Sequence, residues 1–266
     1  MLHTFLMAGQ SNMSGRGLLE EAELICDKRI KMLRNGVWMP MTEPIQCDFP
    51  WAGIGPAASF AAAWVKDHPE QEIGLIPCSH GGSTAEQWLP GAPLFEHAVL
   101  QVRLALRGGG RLEGVLWHQG ESDCIGAQMQ LYCQKLQQIV NGFRRALDMP
   151  DAPFLIGALG DYLKQSTYLE CSSQYTVLND LLKWFVLIEH DCYFVTAEGL
   201  GCNPDHLHFN AASQRVFGLR YYEAYRTRSS VYAPLPSEPP VQSGSDGWTR
   251  DERLHYIRKH LFEAEL

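Results

Sequence analysis

Three short stretches of this chain concentrate residue types that can move a proton or carry an acyl group. The first, AGQSNMSGRG, places Ser11 just after Gly9, a residue that permits a sharp turn at the end of an apolar run. A serine there opens a helix and stands among backbone N–H groups without intrahelical acceptors, which favours developing negative charge. The same position suits a helix N-cap, so Ser11 reads equally as a cap or as a nucleophile. The stretch also departs from the G-x-S-x-G elbow, because Met13 stands where the second glycine belongs.

The second stretch, LWHQGESD, runs from Leu116 to Asp123 and crowds His118, Gln119, Glu121 and Asp123 around Gly120. A side-chain amide such as that of Gln119 can donate to an oxyanion without carrying charge. Capping of a following helix by Glu121 or Asp123 is the structural alternative. The third, NPDHLHFN, runs from Asn203 to Asn210 and sets Asp205 and His208 three residues apart. On a helical turn that spacing puts both on one side, where a carboxylate can fix the imidazole tautomer and free its other nitrogen as a general base. His206, adjacent to Asp205, is expected to point elsewhere.

Rival chemistries leave weaker marks. Asp205, His206 and His208 with His80 or His118 are metal-ligand types, but no H-E-x-x-H motif or close Cys/His quartet is present. Eight cysteines are scattered without a C-x-x-C pair and read as buried reduced thiols. Cys78 ends a strand and Cys202 lies near the histidines, yet neither opens a helix beside a base, so both read as packing residues.

These stretches need a frame to bring them together. Five short apolar runs have the look of doubly buried strands: Leu2 to Met7, Ile73 to Cys78, Leu112 to Trp117, Phe154 to Leu159 and Tyr193 to Thr196. Helical spacing fills the gaps, at Ala57 to Val65, Leu94 to Leu106, Gln128 to Leu147, Tyr175 to Ile188 and Ala211 to Tyr225. Such βαβα alternation predicts an α/β fold: a five-stranded parallel sheet between two helical layers, an αβα sandwich. Ligands then bind beyond the carboxyl ends of the strands, where all three stretches fall.

The connection from Arg16 to Pro56, with a weak strand suggestion at Ile30 to Leu33, reads as part of a site's rim. Residues 1–228 are expected to form the catalytic domain and 229–248, rich in Pro, Ser and Gly, a linker. Residues 249–266 are expected to form an amphipathic helix, with Thr249 and Glu252 as a capping box and Leu254, Ile257 and Leu261 on one face. That helix would seat on the domain or on a second copy, which makes a homo-oligomer one expected partner arrangement.

A chain of 266 residues that is 45% apolar can bury a full core. Its net charge of −8, with no run of like charge, disfavours nucleic acid as a partner. No stretch of 18 apolar residues is present, so no membrane partner is expected. The N-terminal MLHTFLMAGQSN lacks the basic flank and long apolar core of a secretory signal, and the expectation is a soluble, cytoplasmic protein.

Taken in order, GQSNMSG, the Gly81–Gly82 pair, WHQGESD and DHLH resemble the blocks of the SGNH hydrolases. The resemblance is to the branch holding sialate O-acetylesterases and acetylxylan esterases, and it spans residues 2 to about 228. It implies a flavodoxin-like hydrolase fold and a serine esterase that removes O-acetyl groups from carbohydrates through an acyl-serine, without metal or organic cofactor. It further implies Ser11 as nucleophile, His208 as base and Asp205 as its orienting carboxylate. The implied oxyanion hole consists of the Ser11 N–H, a backbone N–H of Gly81 or Gly82, and the Gln119 side chain, where the wider superfamily has Asn. Glu121 becomes a support for His208 or a wall of the pocket. Gln10, Arg16, His80, Trp88, Glu121 and His206 are the residues expected to face substrate, with Trp88 equally readable as core. The competing functions are a general short-chain esterase or thioesterase, and a non-catalytic carbohydrate-binding relative.

Overall fold

A computed structural model describes residues 1–166 and 174–241. The expected C-terminal helix at 249–266, its capping box and Cys171 lie outside the described residues.

All five expected strands form, as β1 (His3–Gly9), β4 (Ile73–Pro77), β5 (Arg111–His118), β6 (Phe154–Gly157) and β7 (Cys192–Val195). Two more, β2 (Ile30–Arg34) and β3 (Val37–Pro40), extend one edge, so the sheet has seven strands in the order β3-β2-β4-β1-β5-β6-β7. The expectation of five is corrected by the hairpin inside the Arg16 to Pro56 connection. Its turn is Asn35–Gly36, with φ of 52° and 75°, the left-handed pair that a two-residue hairpin requires. β3 is antiparallel to β2, and every other pairing is parallel.

The helices are α1 (Ser11–Ser14), α2 (Ala57–Asp67), α3 (Pro93–Leu106), α4 (Gly126–Gln130), α5 (Tyr132–Ala146), α6 (Tyr175–Ile188) and α7 (Ala211–Thr227). They fall into two sets: α2 packs on α7, while α5 packs on both α3 and α6. The expected helix over Gln128 to Leu147 is two pieces, α4 and α5. The inner strands carry the core, with Phe5, Leu6, Leu75, Ile76, Val115, Leu116 and Trp117 all at 0–1% exposure. Removing that much apolar surface from water is the main force holding the layers together.

The carboxyl ends of β1, β4 and β5 lie side by side and launch the turns that hold Ser11, Gly82 and Glu121. Gly9 is what lets β1 end so close to β5. Its φ is 122°, and a Cβ there would lie 2.0 Å from the His118 carbonyl oxygen. That carbonyl instead accepts the Gln10 N–H at 2.8 Å, which fixes the first turn against the third strand end.

After α7, Val231 pairs with β7, exchanging backbone hydrogen bonds with Phe194 and Thr196. Arg220, buried in α7, reaches Glu238 at 2.9 Å through Nε. The described part of the Pro- and Ser-rich segment is thus packed along the sheet edge. Among the described residues no two cysteines are bonded together; Cys78, Cys124, Cys192 and Cys202 are buried, and Cys26 and Cys47 are exposed.

Candidate active site

Ser11 is the first residue of α1, and Gln10 holds the N-cap position without a side-chain capping bond. The Ser11 hydroxyl therefore does not cap the helix. It lies 3.0 Å from His208 Nε2, and His208 Nδ1 lies 2.7 Å from Asp205 Oδ2. The carboxylate can only accept, so Nδ1 carries the proton and Nε2 is left to accept from the serine.

The segment that carries Asp205 and His208 is not helical, as the spacing argument supposed. It is an irregular turn closed by the Cys202–Phe209 bridge. Asp205 Oδ1 accepts the N–H groups of Leu207 at 2.9 Å and His208 at 3.0 Å, so the aspartate shapes the turn that brings its own partner to it. His206 adopts φ of 50° and is buried, with Nδ1 3.5 Å from Cys202 Sγ. Its ring turns toward Cys202 and is not part of the wall around Ser11, contrary to its expected place facing substrate.

A cavity of about 260 Å³ opens over Ser11 and His208, walled by Gln10, Arg16, Phe49, Trp51, Gly81, Gly82, Glu121, Ser122 and Leu207. In that wall the backbone N–H groups of Ser11 and Gly82 are among those with no acceptor among the described residues. The Gly81 N–H is taken by Asp48 Oδ2 at 2.8 Å. Gln119 differs most from expectation. It is fully buried, and its amide nitrogen donates to Asp123 Oδ2 at 2.5 Å and to Ser83 O at 3.0 Å, with Gln10 Oε1 3.2 Å away. The stronger carboxylate acceptor has claimed the amide, which here braces the β5 turn from behind.

The remaining expected contacts divide similarly. Gln10 and Arg16 line the cavity, and Gln10 Oε1 also accepts the Gly120 N–H at 3.3 Å. His80 stands beside the cavity, its ring centroid 5.6 Å from that of Phe49. Trp88 is core: it is fully buried, edge-on to Trp117, and donates to Ser83 Oγ at 3.0 Å. A residue so enclosed cannot face a sugar.

Asn12 is a hub that its place in the sequence does not announce. Its amide donates to Glu121 Oε1 at 2.6 Å and to Leu207 O at 3.2 Å, and its oxygen accepts Phe209 N at 3.0 Å. One buried side chain thereby joins all three chemistry-bearing stretches. Glu121 Oε1 also lies 3.1 Å from His118 Nε2. Burial pushes the Glu121 carboxyl up, but the His118 charge and the hydrogen bonds from His118 and Asn12 outweigh it and hold it below its ordinary value. Burial opposes ionisation of Asp205 too, and His208 with the Leu207 and His208 N–H groups again brings it below.

Residues 1–227 match the family model described as carbohydrate esterase, sialic acid-specific acetylesterase. The chain belongs to this carbohydrate esterase family. The esterase is 28% identical over 246 residues to the probable carbohydrate esterase At4g34215 of Arabidopsis thaliana, covering 83% of this chain and 89% of the relative. The solved structure of that Arabidopsis protein superposes with a TM-score of 0.73 at 27% identity, covering 85% of this chain and 98% of the other. The structure of NanS shares the fold, with a TM-score of 0.70 at 22% identity over 85% and 97% of the two chains.

The two lowered carboxyls set an acid limit for the esterase. Each contributes stability that is present above its unfolded pKa and is lost as the pH falls through its folded pKa. Thermal melts should therefore fall as the pH drops into and below the ordinary carboxyl range, at about 4. Glu121→Gln should melt lower at neutral pH and show a shallower acid slope; an unchanged slope would remove Glu121 from this account. Among the described residues no three His, Cys, Asp or Glu side chains cluster as metal ligands would, and no helix is long and apolar enough to cross a membrane.

Proposed function

We propose that the esterase hydrolyses O-acetyl esters of carbohydrates by double displacement at Ser11. His208 takes the Ser11 proton through Nε2 as the oxygen attacks the ester carbonyl, and Asp205 stabilises the imidazolium that forms. The Ser11 and Gly82 N–H groups receive the oxyanion of the tetrahedral intermediate. As that collapses, His208 returns its proton to the departing sugar oxygen and an acetyl-serine remains. Water, activated by the same imidazole, attacks it and releases acetate. The chemistry calls for no metal or organic cofactor.

The single observation that carries this reading is the unbroken relay from Ser11 to His208 to Asp205, at 3.0 and 2.7 Å, opening into a cavity. Support for a sugar comes from the cavity's aromatic wall. Phe49 and Trp51 stack with ring centroids 4.9 Å apart and 8° between planes, a flat apolar surface beside polar groups. A pyranose face suits such a surface.

Acetate release from acetylated xylan, O-acetylated sialic acid and simple acetylated sugars tests the proposal. Phe49→Ala or Trp51→Ala should raise KM for the best sugar ester by roughly tenfold, the worth of one aromatic contact, while p-nitrophenyl acetate is affected little. Equal losses on both substrates, or a preference for octanoate over acetate, would favour a general esterase.

A further inference from the structure

Asp48 lies in the long connection between β1 and α2, far in sequence from each of the chemistry-bearing stretches. Its side chain is only 1% exposed, yet it takes hydrogen bonds from three residues in two separate parts of the site. Arg16 donates to it twice, from Nη2 at 2.7 Å and from Nη1 at 3.2 Å. Ser14 Oγ, at the end of the helix that Ser11 begins, lies 3.0 Å from Oδ2. The Gly81 N–H donates to the same oxygen at 2.8 Å.

The Gly81 bond matters for catalysis because the next residue carries the oxyanion donor. Gly82 stands at φ of 71°, and its N–H has no acceptor among the described residues. Gly81 has no room for a side chain: a Cβ there would lie 2.6 Å from Arg16 Nη2 and 2.8 Å from the Phe49 ring. Two consecutive glycines have the widest backbone freedom of any pair, so the turn has little conformational preference of its own. An oxyanion donor works through being fixed beforehand, and something outside the pair must fix it. A carboxylate held on Ser14 and Arg16 does so relative to the nucleophile's own helix.

We infer that Asp48 is the positioning residue of the oxyanion turn, a buried carboxylate that clamps Gly81 to the Ser11 helix and so holds the Gly82 N–H in register with the nucleophile. The inference rests on the hydrolase reading of Ser11. A neutral amide in its place offers one acceptor oxygen where the site presents four donors, so the Gly81 bond and the Arg16 pair then compete for it. Arg16 is itself buried, with its side chain 4% exposed, and would win the oxygen.

Asp48→Asn is therefore expected to lower kcat on p-nitrophenyl acetate by roughly 10²-fold, the scale of one lost oxyanion donor, with KM within about threefold. Binding of phenylboronic acid, which forms a tetrahedral adduct on the serine, should weaken by a similar factor. Amide exchange at Gly81 should quicken in the same variant. Should the single variant fail to fold because of the unpaired guanidinium, Arg16→Met/Asp48→Leu removes both that charge and every acceptor oxygen, and should show the same loss in kcat and boronate affinity. An unchanged kcat, or a loss confined to KM with boronate affinity intact, would overturn the inference. Absence of Ser11-dependent turnover in the unmodified protein would instead overturn the hydrolase reading, and this role with it.

Discussion

Ser11→Ala and His208→Ala should each lower kcat by about four orders of magnitude or more, and the double variant should be little worse than either single one. Nucleophile and base act as a unit, so removing one leaves the other without a task. What survives is catalysis from binding and the oxyanion donors alone. His206→Ala is the control within the same tetrapeptide. Its ring lies against Cys202 and outside the cavity wall, so turnover should stay within roughly tenfold of the parent, well short of the ~10²–10⁴ lost with a general base. Steady-state kinetics on p-nitrophenyl acetate distinguish the two histidines. Loss at His206 with retention at His208 would reverse their assignment.

Asp205→Asn should cost about 10⁴-fold in kcat at neutral pH, because an amide can donate to Nδ1 and trap the proton on Nε2, the nitrogen that must accept from Ser11. In this fold the aspartate has a second task, since Oδ1 holds the Leu207 and His208 N–H groups of the turn. Asparagine keeps an oxygen for that purpose, so the variant should fold and bind substrate with KM near that of the parent. A melting temperature close to the parent's with collapsed kcat is the expected pair of results. A modest kcat loss accompanied by a large drop in melting temperature would make Asp205 a structural residue of the turn.

The parts of the site that the sequence exposed are those whose partners are near in sequence or lie just past a strand end. Ser11 comes after β1, Glu121 after β5, and Asp205 with His208 share one turn. Even there, the reason for the Asp205–His208 contact was not legible: the residues meet through a side-chain-braced irregular turn where a helical one was expected. Asp48, Phe49 and Trp51 were hidden for a physical reason. They sit in a long connection whose path is set by tertiary bonds to Arg16 and Gly81 and by no periodicity of its own. Gln119 illustrates competition among acceptors, since a carboxylate four residues away claims the amide that was expected at the oxyanion. The extra hairpin was readable and passed over: Asn35–Gly36 is a strong turn signal, yet only Ile30 to Leu33 was read there, as a weak strand.

In double displacement the acetyl group passes through the Ser11 oxygen. Rapid acid quenching of the enzyme during turnover of p-nitrophenyl acetate, then intact and peptide mass spectrometry, tests it most directly. The expected result is a mass gain of one acetyl group per chain, mapped to the peptide containing Ser11 and absent from Ser11→Ala. Sustained turnover with no acetylated enzyme, or an acetyl group on any other residue, would contradict it.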